Sequence, residues 1–243
     1  MDLSRFNIQE LRDNFLNAEP FNHIVIDNFL NEAYLNTILT EINSYTHAQW
    51  FDSDNASINN ESDNIFQSKK VALTDYNKMG PLSKTLIDLT RCPTFLTFLE
   101  NVTGIENIES DPYLYGGGIH RVSAGGRLSI HSDFNIHPKL NKFRRLNVLL
   151  YLNKNWTLEN KGELELWSKD MKQCVKSIAP LFNRMIIFRI TDDAFHGHPE
   201  PWIQTNALPR LSFALYYYTD NRPDHEKSEF HWALWQQRPN IGF

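Results

Sequence analysis

After Pro112 the chain is written in short runs of alternating apolar and polar residues separated by turn formers, and this texture restricts its fold more than any other feature. Such runs cover 113–122, 127–133, 145–152, 163–167, 174–178, 184–190 and 210–218. Residues 123–126 and 153–161 read as turns between them. Alternate side chains of a strand share a face, so in 145–152 an apolar set opposes Asn147, Leu149 and Tyr151. Short strands joined by turns and preceded by helices predict a two-sheet antiparallel jelly roll, mainly β with supporting helices.

The first half reads as that support. Apolar spacing predicts a helix over 4–17 with Ser4 as N-cap, ended by Pro20, then a strand over 23–27. Asn31 is placed to cap a helix running to about Ser44. Two more helices are predicted over 81–90 and 93–103, each with proline in the first turn and the second closed by Gly104. Residues 51–64 are polar loop formers, the composition of a lid or a disordered excursion. The expected organisation is one domain, with a helical support region at 1–109, a catalytic core at 110–218 and a tail at 219–243. In that tail the apolar-aromatic stretch 229–235 reads as a helix or packing segment that covers the barrel.

With 243 residues, 41% of them hydrophobic, the chain can bury one substantial core. A net charge of -5 excludes a broad basic field, and no nucleic-acid partner is expected. The local patch of Lys139, Lys142, Arg144 and Arg145 reads as a solvated turn. Cys92 and Cys174 form no zinc or redox spacing. Met1 to Arg5 shows no secretory pattern, and no apolar run approaches the ~20 residues that span a bilayer, so a soluble, cytoplasmic protein without a membrane partner is expected.

The chemistry starts at His131-Ser132-Asp133, where an imidazole and a carboxylate two residues apart can face one ion. A second nitrogen ligand is available in Phe195-His196-Gly197-His198-Pro199, with His196 preferred and His198 the alternative. Two imidazoles and one carboxylate with open positions form the facial arrangement of non-haem Fe(II) oxygenases. Arg210 and Ser212 share a strand face, and a guanidinium can grip a carboxylate through two parallel hydrogen bonds. His137, His225 and His231 read as surface or packing residues, and Tyr216 to Tyr218 as strand core. His120 and Arg121 fit either the pocket mouth or solvent-facing strand positions, and carry no assigned role. Gly116 to Gly118 is not a phosphate loop, since neither a helix start nor Lys-Ser/Thr follows it.

In that order, His131-x-Asp133, His196, Arg210-x-Ser212, and the central 145–156 and 162–167 stretches resemble the Fe(II)/2-oxoglutarate dioxygenases, within them the prolyl-4-hydroxylase-like group. Val25 to Leu30 is similar to the usual opening of such chains. The resemblance implies a double-stranded β-helix, a cupin-like jelly roll, packed against N-terminal helices. It implies Fe(II) on His131, Asp133 and His196, with 2-oxoglutarate as co-substrate on Arg210, Ser212 and Tyr151, O2 as oxidant and ascorbate as reductant. Nine residues before His131, where many relatives place a tyrosine, stands Val122, so that contact is absent or comes from a group such as Asn147. The implied reaction is hydroxylation of an unactivated C–H bond, with a prolyl residue of a protein as substrate, or a free amino acid or other small molecule. Asp133 argues against a halogenase of this family. A non-catalytic jelly-roll binding module is the alternative of another class.

Overall fold

A computed structural model describes residues 1–51, 65–203 and 208–243. The first helix, α1 (Ile8–Leu16), starts later than its apolar spacing predicts, because Asn7 rather than Ser4 caps it, accepting from the Glu10 N–H at 3.3 Å. Ser4 instead bonds Asp2. Strand β1 (His23–Ile26) and α2 (Glu32–Asn43) follow, and Asn31 accepts from the Tyr34 N–H as its cap role requires. A short helix, α3 (His47–Phe51), was not anticipated. The expected lid over 51–64 lies, beyond Phe51, outside the described residues. Helices α4 (Pro81–Arg91) and α5 (Pro93–Thr103) carry proline at their first turns, and Gly104 ends α5 at φ +71°, a conformation that costs glycine little.

The strands are β2 (Gln67–Leu73), β3 (Glu109–Ser110), β4 (Gly118–Ser132), β5 (Phe143–Tyr151), β6 (Leu164–Trp167), β7 (Cys174–Ile178), β8 (Met185–Arg189), β9 (His196–His198), β10 (Arg210–Thr219) and β11 (Leu234–Trp235). They form one antiparallel, curled sheet in the order β1-β8-β5-β10-β4-β9-β6-β7, with β2 and β11 on β4 and β3 on β10. This is the double-stranded β-helix, or jelly roll. Its closure depends on β4, whose first half pairs with β10 and whose second half pairs with β9. Residues 123–126 are therefore not a turn between two strands. They lie inside β4, because β2 pairs along both halves, from Gln67 opposite Leu128 to Leu73 opposite Ile119.

Strand alternation decides what each face does. Leu146, Val148 and Leu150 of β5, with Leu211, Phe213 and Leu215 of β10, join the core shared with Leu35, Ile38, Phe95 and Leu99 of the helices. Each buried Leu or Ile there would cost about 2–5 kcal/mol as alanine. The opposite parity, Asn147 and Tyr151 on β5 and Arg210 and Ser212 on β10, faces the barrel interior. The helices cover one face of the sheet, which leaves the other free to be polar.

Candidate active site

The barrel interior holds a cavity of about 200 Å³ lined by residues of β2, β4, β5, β9, β10 and β11. His131, Asp133 and His196 meet there, with one ligating atom from each lying within 4.8 Å of the others. His131 Nε2 stands 3.6 Å from Asp133 Oδ1, and His196 Nε2 stands 3.4 Å from Oδ2. Backbone geometry makes this meeting possible. A Cβ on Gly197 would lie 2.7 Å from the Ser129 carbonyl and 2.8 Å from that of Leu128, so glycine alone lets β9 come this close to β4. His196 is then directly opposite His131, whereas His198 is opposite Leu128.

The two imidazoles are oriented for a metal. Each Nδ1 lies 2.9 Å from a backbone carbonyl, that of Ser129 for His131 and that of Ala194 for His196. A carbonyl only accepts, so Nδ1 carries the proton and Nε2 turns a lone pair toward the cluster. Burial pushes the His131 pKa down, further aided by His196 and opposed by Asp133, which favours the neutral ligand form. Asp133 is 12% exposed, and its desolvation would by itself raise its pKa, yet Arg144, His196 and hydrogen bonds hold it well below the usual carboxylate range. Two imidazole nitrogens and one ionised oxygen, gathered in one cluster, fit a divalent transition metal of the Fe(II) type.

The remaining oxygen capacity of Asp133 is taken by residues behind it. Asn147 Nδ2 donates to Oδ2 at 2.8 Å, and Arg144 Nη2 reaches the same oxygen at 3.1 Å. Arg144 also donates to Asn147 Oδ1 from Nε and Nη2, and its guanidinium lies 3.5 Å from the centre of the Tyr216 ring. The expected solvated turn is thus corrected at its two arginines: Arg144 is 1% and Arg145 5% exposed, drawn inward by Asp133 and by Thr219 and Asn221 respectively. Asn147 lines the cavity, but its amide is engaged with Asp133 and Arg144.

Arg210 lies at the far end of the cavity, 4% exposed. Its Nε donates to the Gly162 carbonyl at 2.8 Å and Nη2 to the Tyr151 hydroxyl at 3.3 Å. Among the described residues no carboxylate pairs with it. Ser212 and Tyr151 are directly opposite each other across β10 and β5, and both line the cavity. Val122 is directly opposite Arg210, and its side chain carries no polar atom to offer a contact.

Three other wall residues carry no assigned role in the sequence: Trp235, His120 and Lys70. Trp235 of β11 lies 4.8 Å, ring to ring, from His131, with Phe66 stacked on it at 4.7 Å, so the tail covers the site as a strand rather than a helix. His120 also faces inward, bonded to the Gly116 carbonyl, and Lys70 of β2 completes that side. The signal for Lys70 was present in Val71 and Leu73, whose apolar alternation places Lys70 and Ala72 on the opposite face. Tyr217 and Tyr218 are core as expected, whereas Tyr216 lines the cavity.

Residues 117–218 match the profile of the 2OG-Fe(II) oxygenase superfamily. The chain is 22% identical over 222 residues to a prolyl 3,4-dihydroxylase of Ostreococcus tauri, covering 85% of this chain and 40% of that protein. To a mouse prolyl 3-hydroxylase it is 32% identical over 79 residues, covering 31% and 14%. The chain thus spans less than half the length of these relatives. A prolyl-4-hydroxylase of Pseudomonas putida has the same fold, with a TM-score of 0.55 at 13% identity over 87% of this chain and 100% of that one.

Proposed function

We propose that the chain belongs to the 2OG-Fe(II) oxygenase superfamily, whose profile residues 117–218 match, and that it is an Fe(II)- and 2-oxoglutarate-dependent dioxygenase that hydroxylates an unactivated C–H bond. One oxygen atom of O2 goes to the substrate as an alcohol, and the other to succinate as 2-oxoglutarate loses CO2. His131, Asp133 and His196 would hold the iron, which supplies the activation of dioxygen. Arg144 and Asn147 fix the Asp133 carboxylate so that it presents an ionised oxygen to the cluster. Arg210 binds the far carboxylate of 2-oxoglutarate, with the hydroxyls of Ser212 and Tyr151 beside it. The rings of Trp235 and Phe188, packed against the two imidazoles, keep bulk water from that end.

The observation that carries this reading is the buried guanidinium of Arg210, without a carboxylate partner among the described residues, in the same cavity as the ligand cluster. A buried cation without a counterion is costly, so the site is built to receive an anion. A prolyl residue is the substrate that the two curated relatives support through their names, and ascorbate is the reductant expected for such an enzyme.

Succinate release tests the reading, measured with Fe(II), 2-oxoglutarate and ascorbate in the presence of proline-containing peptides. Succinate should form together with a product carrying one added oxygen atom by mass spectrometry. Protein that binds metal but releases no succinate with any peptide or free amino acid would favour the binding module instead.

A further inference from the structure

Lys70 brings a second cation to the cavity, and the proposed reaction leaves it without a task. The residue is half-buried and lines the same space as the ligand cluster. Among the described residues, the carboxylate whose charge it feels is Asp133, already engaged by Arg144 and Asn147. Burial pushes its pKa down to about 8, with Arg210 and Arg144 adding to the effect and Asp133 opposing it. It remains charged at neutral pH.

The backbone aims it inward. The ladder between β2 and β4 shifts register between Ser68 and Lys70, and Lys69 between them adopts φ +49°. Such a bulge re-aims side chains and is common beside active sites. Here it sends the Lys69 amine to the Ala124 carbonyl, 3.0 Å away on the strand, and leaves Lys70 facing the cavity.

Position separates Lys70 from the co-substrate end. Lys70, Val122 and Arg210 are directly opposite one another across β2, β4 and β10, so their backbones span about 10 Å at ~4.8 Å per strand. The Arg210 head turns away from Lys70, toward Tyr151 of β5 and Gly162. A co-substrate with two carboxylates, one for the metal and one for Arg210, has none left for Lys70. In about 200 Å³, below the ~300–1,000 Å³ of sites that enclose a whole drug-sized ligand, the co-substrate leaves room for little more than one side chain.

We propose that Lys70 holds a carboxylate of the primary substrate, which makes the substrate class an acid. That carboxylate belongs either to the reacting residue itself or to an acidic neighbour in a peptide. This deepens the dioxygenase reading and rests on it.

Mn(II)-loaded protein saturated with 2-oxoglutarate under nitrogen provides the test, with probe binding read from Mn(II)-induced relaxation of the probe's protons. The probes are acid and amide pairs: N-acetylproline against its amide, and N-acetyl-Asp-Pro-amide and N-acetyl-Pro-Asp-amide against their asparagine counterparts. At least one acid should bind tenfold or more tightly than its amide, and the pair that does so identifies the source of the carboxylate. Lys70→Gln should remove that preference, Lys70→Arg should keep part of it, and 2-oxoglutarate affinity should stay within twofold in both. Equal behaviour of acid and amide in every pair, including no detectable binding by either, overturns the proposal. So does a tenfold loss of 2-oxoglutarate affinity in Lys70→Gln, which would make Lys70 a co-substrate contact. Wild-type protein that fails to bind 2-oxoglutarate at all instead sinks the dioxygenase reading.

Discussion

The two ends of the cavity are built on opposite principles. At the ligand cluster every charge and every orienting hydrogen bond is already matched within the chain: Ser129 and Ala194 fix the imidazoles, and Arg144 and Asn147 hold Asp133. At the other end Arg210 is fixed by Gly162 and Tyr151, but among the described residues no carboxylate matches its charge. The cluster is therefore prearranged before any ion arrives, and its support can be removed in steps. The Arg210 end depends on an incoming anion, so a change there should be felt mainly in co-substrate binding.

The largest break in this contrast comes from the cluster itself. His131→Ala, Asp133→Ala or His196→Ala should abolish Fe(II) retention and turnover together, measured as iron content after desalting and as succinate release. Normal turnover in any of them would remove that residue from the ligand set. Arg210→Ala comes next, with a loss on the order of 3 kcal/mol or more in 2-oxoglutarate binding and iron content unchanged. Arg210→Lys should lose less, because an ammonium keeps the charge without the two-point grip. Titration calorimetry on Mn(II)-loaded protein under nitrogen checks both, and unchanged affinity in Arg210→Ala would place the anion site elsewhere.

Removing the support behind Asp133 sharpens the comparison. Asn147→Ala should weaken metal binding by about 10- to 100-fold, the usual range for a residue that orients a ligand, while leaving 2-oxoglutarate affinity for the metal-saturated protein nearly intact. A loss confined to 2-oxoglutarate would return Asn147 to the co-substrate role expected from the sequence. His198→Ala should have the smallest effect on the ion, with near-normal iron content. If His198→Ala loses iron and His196→Ala keeps it, the two assignments exchange.

A pH scan separates the buried histidines from the cluster chemistry. His120 and His198 are held neutral well below the usual histidine pKa, first by burial, then by Lys70 for His120 and Arg210 for His198. The unfolded chain takes up those protons near pH 6.5 while the folded chain does not. Stability is therefore full above about pH 6.5 and falls as pH drops below it, by at most ~1.4 kcal/mol per unit for each histidine. Thermal melts between pH 7.5 and 5 should show the decline, and a smaller slope in His198→Ala. An unchanged slope would mean that His198 is not buried neutral.

Residues with a fixed local pattern were legible from sequence. The alternation in β5 and β10 told which side chains face inward, Asn31, Pro81, Pro93 and Gly104 marked helix ends, and His131-x-Asp133 marked an imidazole and a carboxylate able to face one ion. What local pattern could not resolve was any choice between equivalent neighbours or any partner from another strand. His196 and His198 have the same parity, and the close approach of β9 to β4 at Gly197 brings the first beside His131 and the second beside Leu128. Arg144 looks like surface charge in a basic turn, yet the ionised Asp133, eleven residues away, makes its burial favourable. Lys70 took its place through a bulge and a three-strand register. Periodicity belongs to a single segment and can be read along it, whereas the partner of a buried charge is set by which strands pair and in what register, and that was decided only when the sheet closed.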